Sequence, residues 1–258
     1  HVAGLACDMT EICQIAAAHK LRILEDACEA AFTEHNGRRV GSFGDAGCYS
    51  TYICHHITTG VGGLAVTDDP DLAVRIRSLA NHGRDAIYIK PEDGRDHKGR
   101  SSREVIEKRF SFTSIGHSFR CTEFEAALGL AQLEDVEKNI KARQENAKRL
   151  TEGLESLSYF LQLPILSGST SMFYPILARS GKVDLVNHLE ANGIETRDLL
   201  PIVSQPCYRK MFKNLEAEYP NAARIAHRGF YIGSHPLMTK KDTDKIVRTI
   251  KNFYAGAH

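Results

Sequence analysis

The sequence predicts an α/β domain followed by a smaller α+β domain, and three observations support this fold class. Helix-like and strand-like segments alternate through the first half of the chain. Two strand-like segments there end in polar residues, as strands do where an open α/β sheet binds its ligand. Beyond about residue 160 the alternation stops. We therefore predict a large α/β domain over 1–150 and a small α+β domain over 151–258.

The first predicted elements are a helix and a buried strand. Residues 8–20 are typical of a helix, because Asp8 or Thr10 can cap its N-terminus and apolar residues recur on one face. The run LRILEDAC, residues 21–28, is short and mostly apolar, and two adjacent acids, Glu25 and Asp26, lie near its end. This pattern is typical of a buried strand that presents polar residues at its C-terminal end. The Asn-Gly pair within 35–39 predicts a tight turn.

Two further strands and a helix complete the alternating half. The runs DAGCYSTY (45–52) and GGLAVTDD (62–69) predict strands joined by a glycine-rich loop. The next helix begins at Pro70, since proline is favoured at the first helical position, and it ends at Gly83. The polar and charged segment 85–109 predicts a surface loop.

The rest of the chain is mostly helical in pattern. Thr122 and Glu125 fit a capping box, and the helical pattern continues from there to residue 156, which predicts one long helix that bridges the two domains. The run SMFYPILA (171–178) predicts a strand, and the helix after it ends at Gly193. The last predicted element is an amphipathic helix that contains TDKIVRTIKNFY.

The composition is that of a globular protein with a sizeable core, since 42% of the 258 residues are hydrophobic and 25% are charged. The formal net charge of +1 provides no overall attraction to nucleic acid or to a membrane surface, and no apolar run is long enough to span a bilayer. The seven cysteines are scattered and none forms a CxxC pair. This spacing argues against a disulfide framework or a clustered iron–sulfur site and favours the reducing cytoplasm.

Candidate site residues lie where the predicted strands end. Asp26 closes the first strand, and a buried acid there needs a partner such as a protonated pyridine nitrogen, an arginine or the backbone of the next turn. Ser50 offers its hydroxyl either to a phosphate or to an ordinary turn. The loop TTGVGG (58–63) matches neither a Walker loop nor the strand–GxGxxG–helix setting of dinucleotide sites.

A histidine pair, His55 and His56, precedes that loop. A metal site would need further ligands, and adjacent side chains on an extended chain diverge, so we expect no metal. The remaining interpretations are packing and proton transfer. Proton transfer suits an imidazole, because its ordinary pKa lies near neutral pH.

Several stretches in the two halves of the chain, taken in order, identify a family. They are HVAG (1–4), EDACEA (25–30), GRRVGSFGDAGCYSTY (37–52), ITTGVGGLAVT (57–67), LANHGRD (79–85), RCTEFEAALGLAQLE (120–134), GIETRDLLPIVSQPCY (193–208) and SHPLMTKKDTDKIVRTI (234–250). Their order and spacing resemble the DegT–DnrJ–StrS family of sugar aminotransferases. The resemblance implies the three-layer α/β/α large domain of fold type I, like aspartate aminotransferase, and a small α+β domain. It also implies pyridoxal 5′-phosphate or pyridoxamine 5′-phosphate as the cofactor.

The resemblance implies roles for single residues as well. Asp26 matches the aspartate that pairs with the cofactor's pyridine nitrogen, and Glu29 matches a position beside the ring. Ser50 matches a serine that binds the cofactor phosphate. Ser118 stands where the family usually has an asparagine that reaches the cofactor phosphate of the neighbouring subunit, in enzymes that are usually homodimers.

His55 stands where the family usually has the lysine that holds the cofactor covalently, and no lysine occurs between Lys20 and Lys90. An imidazole cannot form that bond, but it can move a proton. In this respect the chain resembles the 3-dehydratases of the family, in which the histidine is the base, the substrate is a nucleotide-linked 4-keto-6-deoxy sugar and glutamate restores the amine form of the cofactor. A second departure is Val61, where the family often has a glutamate.

Three functional hypotheses follow from these features. The first is a sugar 3-dehydratase with His55 as its base. The second is a transaminase in which the lysine role is lost or rearranged. The third is a non-catalytic relative that binds the cofactor or a sugar nucleotide. Because HVAG normally lies well inside family members, we also expect the sequence to be a fragment or truncated form that lacks one wall of the cofactor pocket.

Overall fold

A computed structural model describes most of the chain as two compact units. The described residues are 1–85, 103, 108, 110–199, 201–213 and 215–256. The N-terminal unit comprises Cys7–Ala31 and His35–Glu134, and the C-terminal unit comprises His1–Ala6, Phe32–Glu34 and Asp135–His258. The domain boundaries expected from the sequence stay a prediction. Within the described residues, no helix is both long enough and apolar enough to cross a bilayer.

Among the described residues up to 134, one helix is followed by five strands and then by two helices. They are α1 (Met9–His19), β1 (Leu24–Asp26), β2 (Glu34–His35), β3 (Arg38–Arg39), β4 (Ala46–Ser50), β5 (Gly63–Val66), α2 (Pro70–Ala80) and α3 (Glu123–Glu134). One sheet has the order β1-β4-β5, in which β4 runs parallel to β1 and antiparallel to β5. Because parallel strands end at the same edge of a sheet, the carboxyl ends of β1 and β4 lie together.

Two predicted helix starts are confirmed by their caps. The Asp8 carboxylate accepts hydrogen bonds from the backbone N–H groups of Thr10 and Glu11, at the start of α1. The Asp69 carboxylate caps α2 in the same way, with Pro70 at the first helical position. Each carboxylate satisfies backbone donors that have no partner within the helix.

The predicted strands and turn are present, but the first strand is shorter than its apolar run. β1 covers only three residues of the predicted 21–28, because it pairs only with the first three residues of β4. The predicted turn joins β2 to β3 through Asn36 and Gly37, whose φ angles are 52° and 76°. Positive φ at both central positions is the requirement of a type I′ hairpin turn.

The elements from residue 135 onward form an antiparallel sheet packed against helices. They are α4 (Val136–Leu154), a 3₁₀ turn (Glu155–Leu157), β6 (Leu161–Gln162), β7 (Phe173–Ala178), α5 (Lys182–Ala191), β8 (Thr196–Asp198), a 3₁₀ turn (Ile202–Ser204), α6 (Pro206–Met211), α7 (Leu215–Glu218), α8 (Pro220–Arg228), β9 (Gly229–Gly233) and α9 (Lys240–Ala255). The sheet order is β6-β7-β9-β8. Its core joins β7 and β9 to α4, α5 and α9, and its fully buried members include Leu150, Tyr174, Leu189, Phe230 and Ile250.

The single long helix predicted from residue 122 onward is wrong, because the chain forms two helices there. Asp135 separates α3 from α4 and has φ −105° and ψ 6°. The predicted capping pair at the start of α3 does interact, since the Glu125 carboxylate accepts hydrogen bonds from the backbone N–H and the hydroxyl of Thr122. The predicted loop at 85–109 lies almost entirely outside the described residues.

Candidate active site

The β1-β4-β5 sheet brings two of the predicted site residues to one face. Asp26 pairs with Cys48 across the parallel rung, and Ser50 lies two residues farther along β4. Because side chains alternate along a strand, Asp26, Cys48 and Ser50 project from the same face. On β5 the residues opposite Cys48 and Ser50 are Ala65 and Gly63. This face therefore carries a carboxylate and a hydroxyl beside small neighbours.

The buried acid at the end of β1 is Glu25, not Asp26 as the sequence pattern suggested. Glu25 is 3% exposed, whereas Asp26 is exposed. Neighbouring residues on a strand face opposite ways, so only one of these two acids can point into the packed side of the sheet. The expectation that Asp26 is buried is therefore wrong, but one of its expected partners, the backbone of the next turn, is present, because the Cys28 N–H donates to its carboxylate. The exposed carboxylate lies where a ligand can reach it.

Hydrogen bonds keep the Asp26 carboxyl ionised. The Cys28 thiol is the main cause that lowers the pKa of Asp26, and the Cys28 backbone N–H donates to its Oδ1 over 3.1 Å. A positive charge on His55 lowers this pKa further. Burial, followed by the neighbouring Asp26, raises the pKa of the Cys28 thiol to about 12, so the thiol stays protonated as a donor. An ionised carboxylate of this kind suits a cationic partner.

The loop between β4 and β5 holds His55, and it is closed at its neck by its own residues. The hydroxyls of Thr51 and Thr59 lie 2.7 Å apart. The Thr51 backbone N–H donates to the Gly62 carbonyl over 3.0 Å, and the Thr59 backbone N–H donates to the Thr51 carbonyl over 2.8 Å. The Val61 side chain is 67% exposed, and its carbonyl accepts a hydrogen bond from the Thr59 hydroxyl. The loop therefore keeps its shape without a side chain from Val61.

His55 is half-buried within that loop. Its backbone N–H donates to the Tyr52 carbonyl over 2.9 Å, and its ring meets the Tyr52 ring edge-on at 6.2 Å between centroids. No described residue hydrogen-bonds to its buried Nδ1 atom. Burial lowers the pKa of His55, while the negative charges of Glu29 and Asp26 oppose this change. The imidazole is therefore largely neutral at pH 7 and available to take a proton.

Three of the five predicted site residues interact electrostatically, since the charges of Asp26 and Glu29 both act on the His55 imidazole. Ser50 lies on the same sheet face as Asp26, and its hydroxyl accepts a hydrogen bond from the Tyr52 backbone N–H over 3.1 Å. Ser118 lies apart from the strand ends, in a bridge with the residue that follows α2. The geometry within one chain therefore joins His55, Asp26, Glu29 and Ser50, and leaves Ser118 outside this group.

His56 differs from His55 in its burial. Its side chain is 6% exposed, so it belongs to the packed side of the loop. The described residues contain no group of three or more histidine, cysteine or acidic side chains placed to hold a metal ion. The histidine pair is therefore asymmetric, with one ring packed and the other beside the acids.

Sequence reasoning missed the supporting residues of this site. Glu25 was noted only as a strand-end acid beside Asp26, and Cys28 and the Thr51–Thr59 pair were not singled out, although each shapes the position or charge of a predicted residue. The alternation within β1 was the available signal for Glu25, but a three-residue strand carries too short a pattern to show which acid is buried. The hydroxyl pair had no signal in the local sequence.

Comparison with known protein families identifies the family of this chain. The model of the DegT/DnrJ/EryC1/StrS aminotransferase family matches residues 1–251. The chain belongs to this family. The resemblance predicted from the sequence motifs is thereby confirmed for this DegT/DnrJ/EryC1/StrS chain.

Two curated relatives of this family member share about a third of its residues. The lipopolysaccharide biosynthesis protein RfbH of Salmonella typhimurium is 32% identical over 269 residues, which cover 98% of this chain and 61% of that protein. The dTDP-4-dehydro-2,6-dideoxy-D-glucose 3-dehydratase of Saccharopolyspora spinosa is 32% identical over 272 residues, covering 99% of this chain and 58% of the relative. The chain thus spans about three-fifths of the length of these relatives.

Solved structures of the family share the fold. The E. coli GDP-4-keto-6-deoxy-D-mannose-3-dehydratase with bound hydrated PLP superimposes with a TM-score of 0.76 at 23% identity, over 96% of this chain and 65% of the other. This similarity confirms the predicted α/β fold, of the fold type I class that pyridoxal phosphate-dependent aminotransferases share.

Proposed function

We propose that the chain is part of an enzyme that uses pyridoxal 5′-phosphate or pyridoxamine 5′-phosphate to remove the 3-hydroxyl of a nucleotide-linked 4-keto-6-deoxy sugar, with His55 as the base. One observation carries this proposal. His55 is half-buried beside Asp26 and Glu29, and burial lowers the pKa of its imidazole, which favours the neutral form at pH 7. No lysine that could take its place occurs between Lys20 and Lys90.

The residues on the sheet face fit the proposed cofactor. The exposed, ionised carboxylate of Asp26 would hold the protonated pyridine nitrogen, and the Ser50 hydroxyl would contribute to binding the phosphate. Glu29 would lie beside the ring. The small residues Ala65 and Gly63 leave room next to them on the same face. When bound, the cofactor supplies an amine and a ring that spreads negative charge.

His55 would carry the proton transfers through its imidazole. Burial lowers the pKa of His55, against the opposing charges of Glu29 and Asp26, so the imidazole is neutral at pH 7 and can act as a general base. An imidazole has no amine, so it cannot hold the cofactor through a covalent bond as a lysine does. An ordinary transaminase uses its lysine both for that bond and for proton transfer, and His55 could perform only the second of these roles.

The family and one relative support the sugar substrate. A relative at 32% identity is a 3-dehydratase of a dTDP-linked keto sugar. Glutamate as amino donor, a homodimer in which Ser118 reaches the partner's site and a cytoplasmic location belong to the same proposal and rest on family membership. Transamination of a nucleotide sugar is the second candidate, because the matching family is an aminotransferase family.

The test is a product assay with the full-length protein. It is incubated with pyridoxamine phosphate, glutamate and a panel of GDP-, dTDP- and CDP-linked 4-keto-6-deoxy sugars, and products are analysed by mass spectrometry. A product that has lost its 3-hydroxyl and contains no new amine supports the dehydratase. An amino sugar refutes dehydration and indicates transamination. Absence of turnover with every substrate indicates the non-catalytic relative.

Substitution of the base sharpens the assay. We expect His55→Asn to lower kcat by about 10²–10⁴-fold, since a general base contributes that much, while the dissociation constant of pyridoxamine phosphate changes little. His117→Asn is the control, because His117 is an exposed histidine of the same unit whose ring stacks on Phe119. Wild-type turnover in His55→Asn would remove His55 from the mechanism.

The reverse substitution tests the alignment of the position. If residue 55 occupies the lysine position of the family, His55→Lys should attach one pyridoxal phosphate per chain in a form that borohydride makes permanent. Intact-mass measurement detects this attachment. If only His56→Lys becomes labelled, residue 56 holds that position instead.

A further inference from the structure

Glu25 is a charged side chain held by backbone donors on the packed side of the sheet. Its Oε1 atom accepts hydrogen bonds from the backbone N–H groups of Phe43 and Gly44, over 2.5 Å and 2.7 Å. Its Oε2 atom accepts one from Gly41 over 2.7 Å. Hydrogen bonds to a carboxylate are stronger than those between neutral groups, so one side chain ties the loop 41–44 to β1.

The same loop lies directly on β4. Gly47 is the residue opposite Glu25, and a Cβ atom there would lie 2.1 Å from the Gly41 carbonyl oxygen. A glycine is therefore required for this close approach. From the next inward position of β4, the Tyr49 hydroxyl donates to the Val40 carbonyl over 2.6 Å. Loop 40–44 is thus held by one side chain from each strand, Glu25 from β1 and Tyr49 from β4, and we call this pair of side chains the clamp.

The clamp has a consequence for the opposite face of the sheet. β1 and β4 meet over only three rungs, so their pairing has little support from its own length. A shift by one residue would move Asp26 to the wrong face and away from Ser50. We propose that Glu25 is a positioning residue, which fixes the β1–β4 register through loop 41–44 and so holds Asp26 beside His55 and on the face of Ser50. This inference rests on the proposed site but concerns a residue that does not touch the cofactor.

The test follows the His55 imidazole by NMR titration of the full chain without cofactor. The Asp26 charge raises the pKa of His55, so Asp26→Asn should lower it. If Glu25 holds Asp26 in place, Glu25→Gln should lower this pKa as well, since the amide cannot accept from all three backbone donors. A double variant should titrate like Asp26→Asn alone. A further fall in the double variant would mean that Glu25 acts through its own charge, which would overturn the inference.

Two matched variants distinguish a positioning role of Glu25 from a general effect on the stability of the fold. Asp69→Asn removes another carboxylate that caps two backbone N–H groups, but it follows β5 at the opposite edge of the sheet, so the His55 titration should stay at the wild-type value. Tyr49→Phe removes the other half of the clamp without altering charge, and it should shift the titration in the same direction as Glu25→Gln. If Glu25→Gln fails to fold, Tyr49→Phe decides the question. A wild-type titration in the folded clamp variants refutes the inference.

A second readout uses the cofactor. Where the wild type binds pyridoxal phosphate, we expect Glu25→Gln to weaken binding several-fold, and to weaken it less when Asp26 is already replaced. Equal weakening in both backgrounds would refute positioning through Asp26. Failure of the wild type to bind would count against the proposed function alone, because the cofactor-free titration still decides the role of Glu25.

Discussion

Gly153 in α4 packs so closely against α9 that replacing it by alanine, which normally stabilises a helix, should destabilise the folded protein. Gly153 lies in α4, and a Cβ atom added there would lie 2.5 Å and 2.9 Å from the two methyl carbons of Val247 in α9. Carbon atoms pack best at about 3.5–4.0 Å, so the nearer contact is short by about 1 Å. Valine has one strongly preferred rotamer in a helix, and it cannot turn away cheaply.

The magnitude follows from two opposed effects. Replacing glycine by alanine inside a helix stabilises it by about 0.5–1 kcal/mol. Overpacking of a closed contact costs about 1–3 kcal/mol, and a shortfall of this size belongs to the upper part of that range. We therefore expect Gly153→Ala to reduce the free energy of unfolding by about 1–2 kcal/mol, against the usual helix preference.

The assay is urea denaturation followed by far-UV circular dichroism on the wild type, both single variants and the double variant. In the Val247→Ala background the obstructing methyl groups are gone and only the Cβ atom of residue 247 stays close, at 3.3 Å, so Gly153→Ala should become stabilising, by at most about 0.5–1 kcal/mol. The sign reversal is the diagnostic result, because the two residues are in contact and their effects should not add. An increase in stability from Gly153→Ala in the wild type, or equal effects in both backgrounds, would refute the reasoning.

Two predictions concern pH. Burial raises the pKa of Tyr174 to about 12, so the stability contributed by its neutral phenol is present below pH 10 and lost as the pH rises toward 12. Tyr174→Phe should remove this alkaline loss and, by ending the 2.8 Å hydrogen bond to Thr151, cost about 0.5–1.5 kcal/mol at neutral pH. At the start of α9, the Thr239 hydroxyl holds the pKa of Asp242 below its usual value of 3.8. The stability contributed by the ionised carboxylate is therefore fully present above pH 3.8 and is lost as the pH falls through the lowered pKa. Asp242→Asn should flatten the acid side of the melting-temperature profile, and an unchanged profile would contradict the assignment.

Local signals in the sequence predicted local structure well. The caps at Asp8 and Asp69 and the Asn36–Gly37 turn were readable because each depends on a few neighbouring residues. The break at Asp135 was not, since neither proline nor glycine marks it and the helical pattern continues on both sides. The central strand β9 was also missed, because GFYIG is five residues long and has glycine at both ends.

The candidate site shows the same contrast between residues that local motifs reveal and residues that depend on long-range contacts. Motif spacing located Asp26, Glu29, Ser50 and His55, and the structure brings them to neighbouring positions. The burial of Glu25 depends on a pairing with residues more than fifteen positions away and on the path of loop 41–44. Such long-range determinants leave no mark on a three-residue strand, so the pattern could not distinguish the positioning acid from the exposed one.

The hydrogen bond between the Thr51 and Thr59 hydroxyls closes the loop without using the side chain at position 55. Because the neck is tied by its own side chains and backbone, the residue at position 55 can be exchanged without changing the pairing of β4 with β5. Under the proposed function, a substitution at residue 55 would change the chemistry available at the site while β4 and β5 stay paired. Residue 55 can therefore vary independently of the strands that carry Asp26 and Ser50.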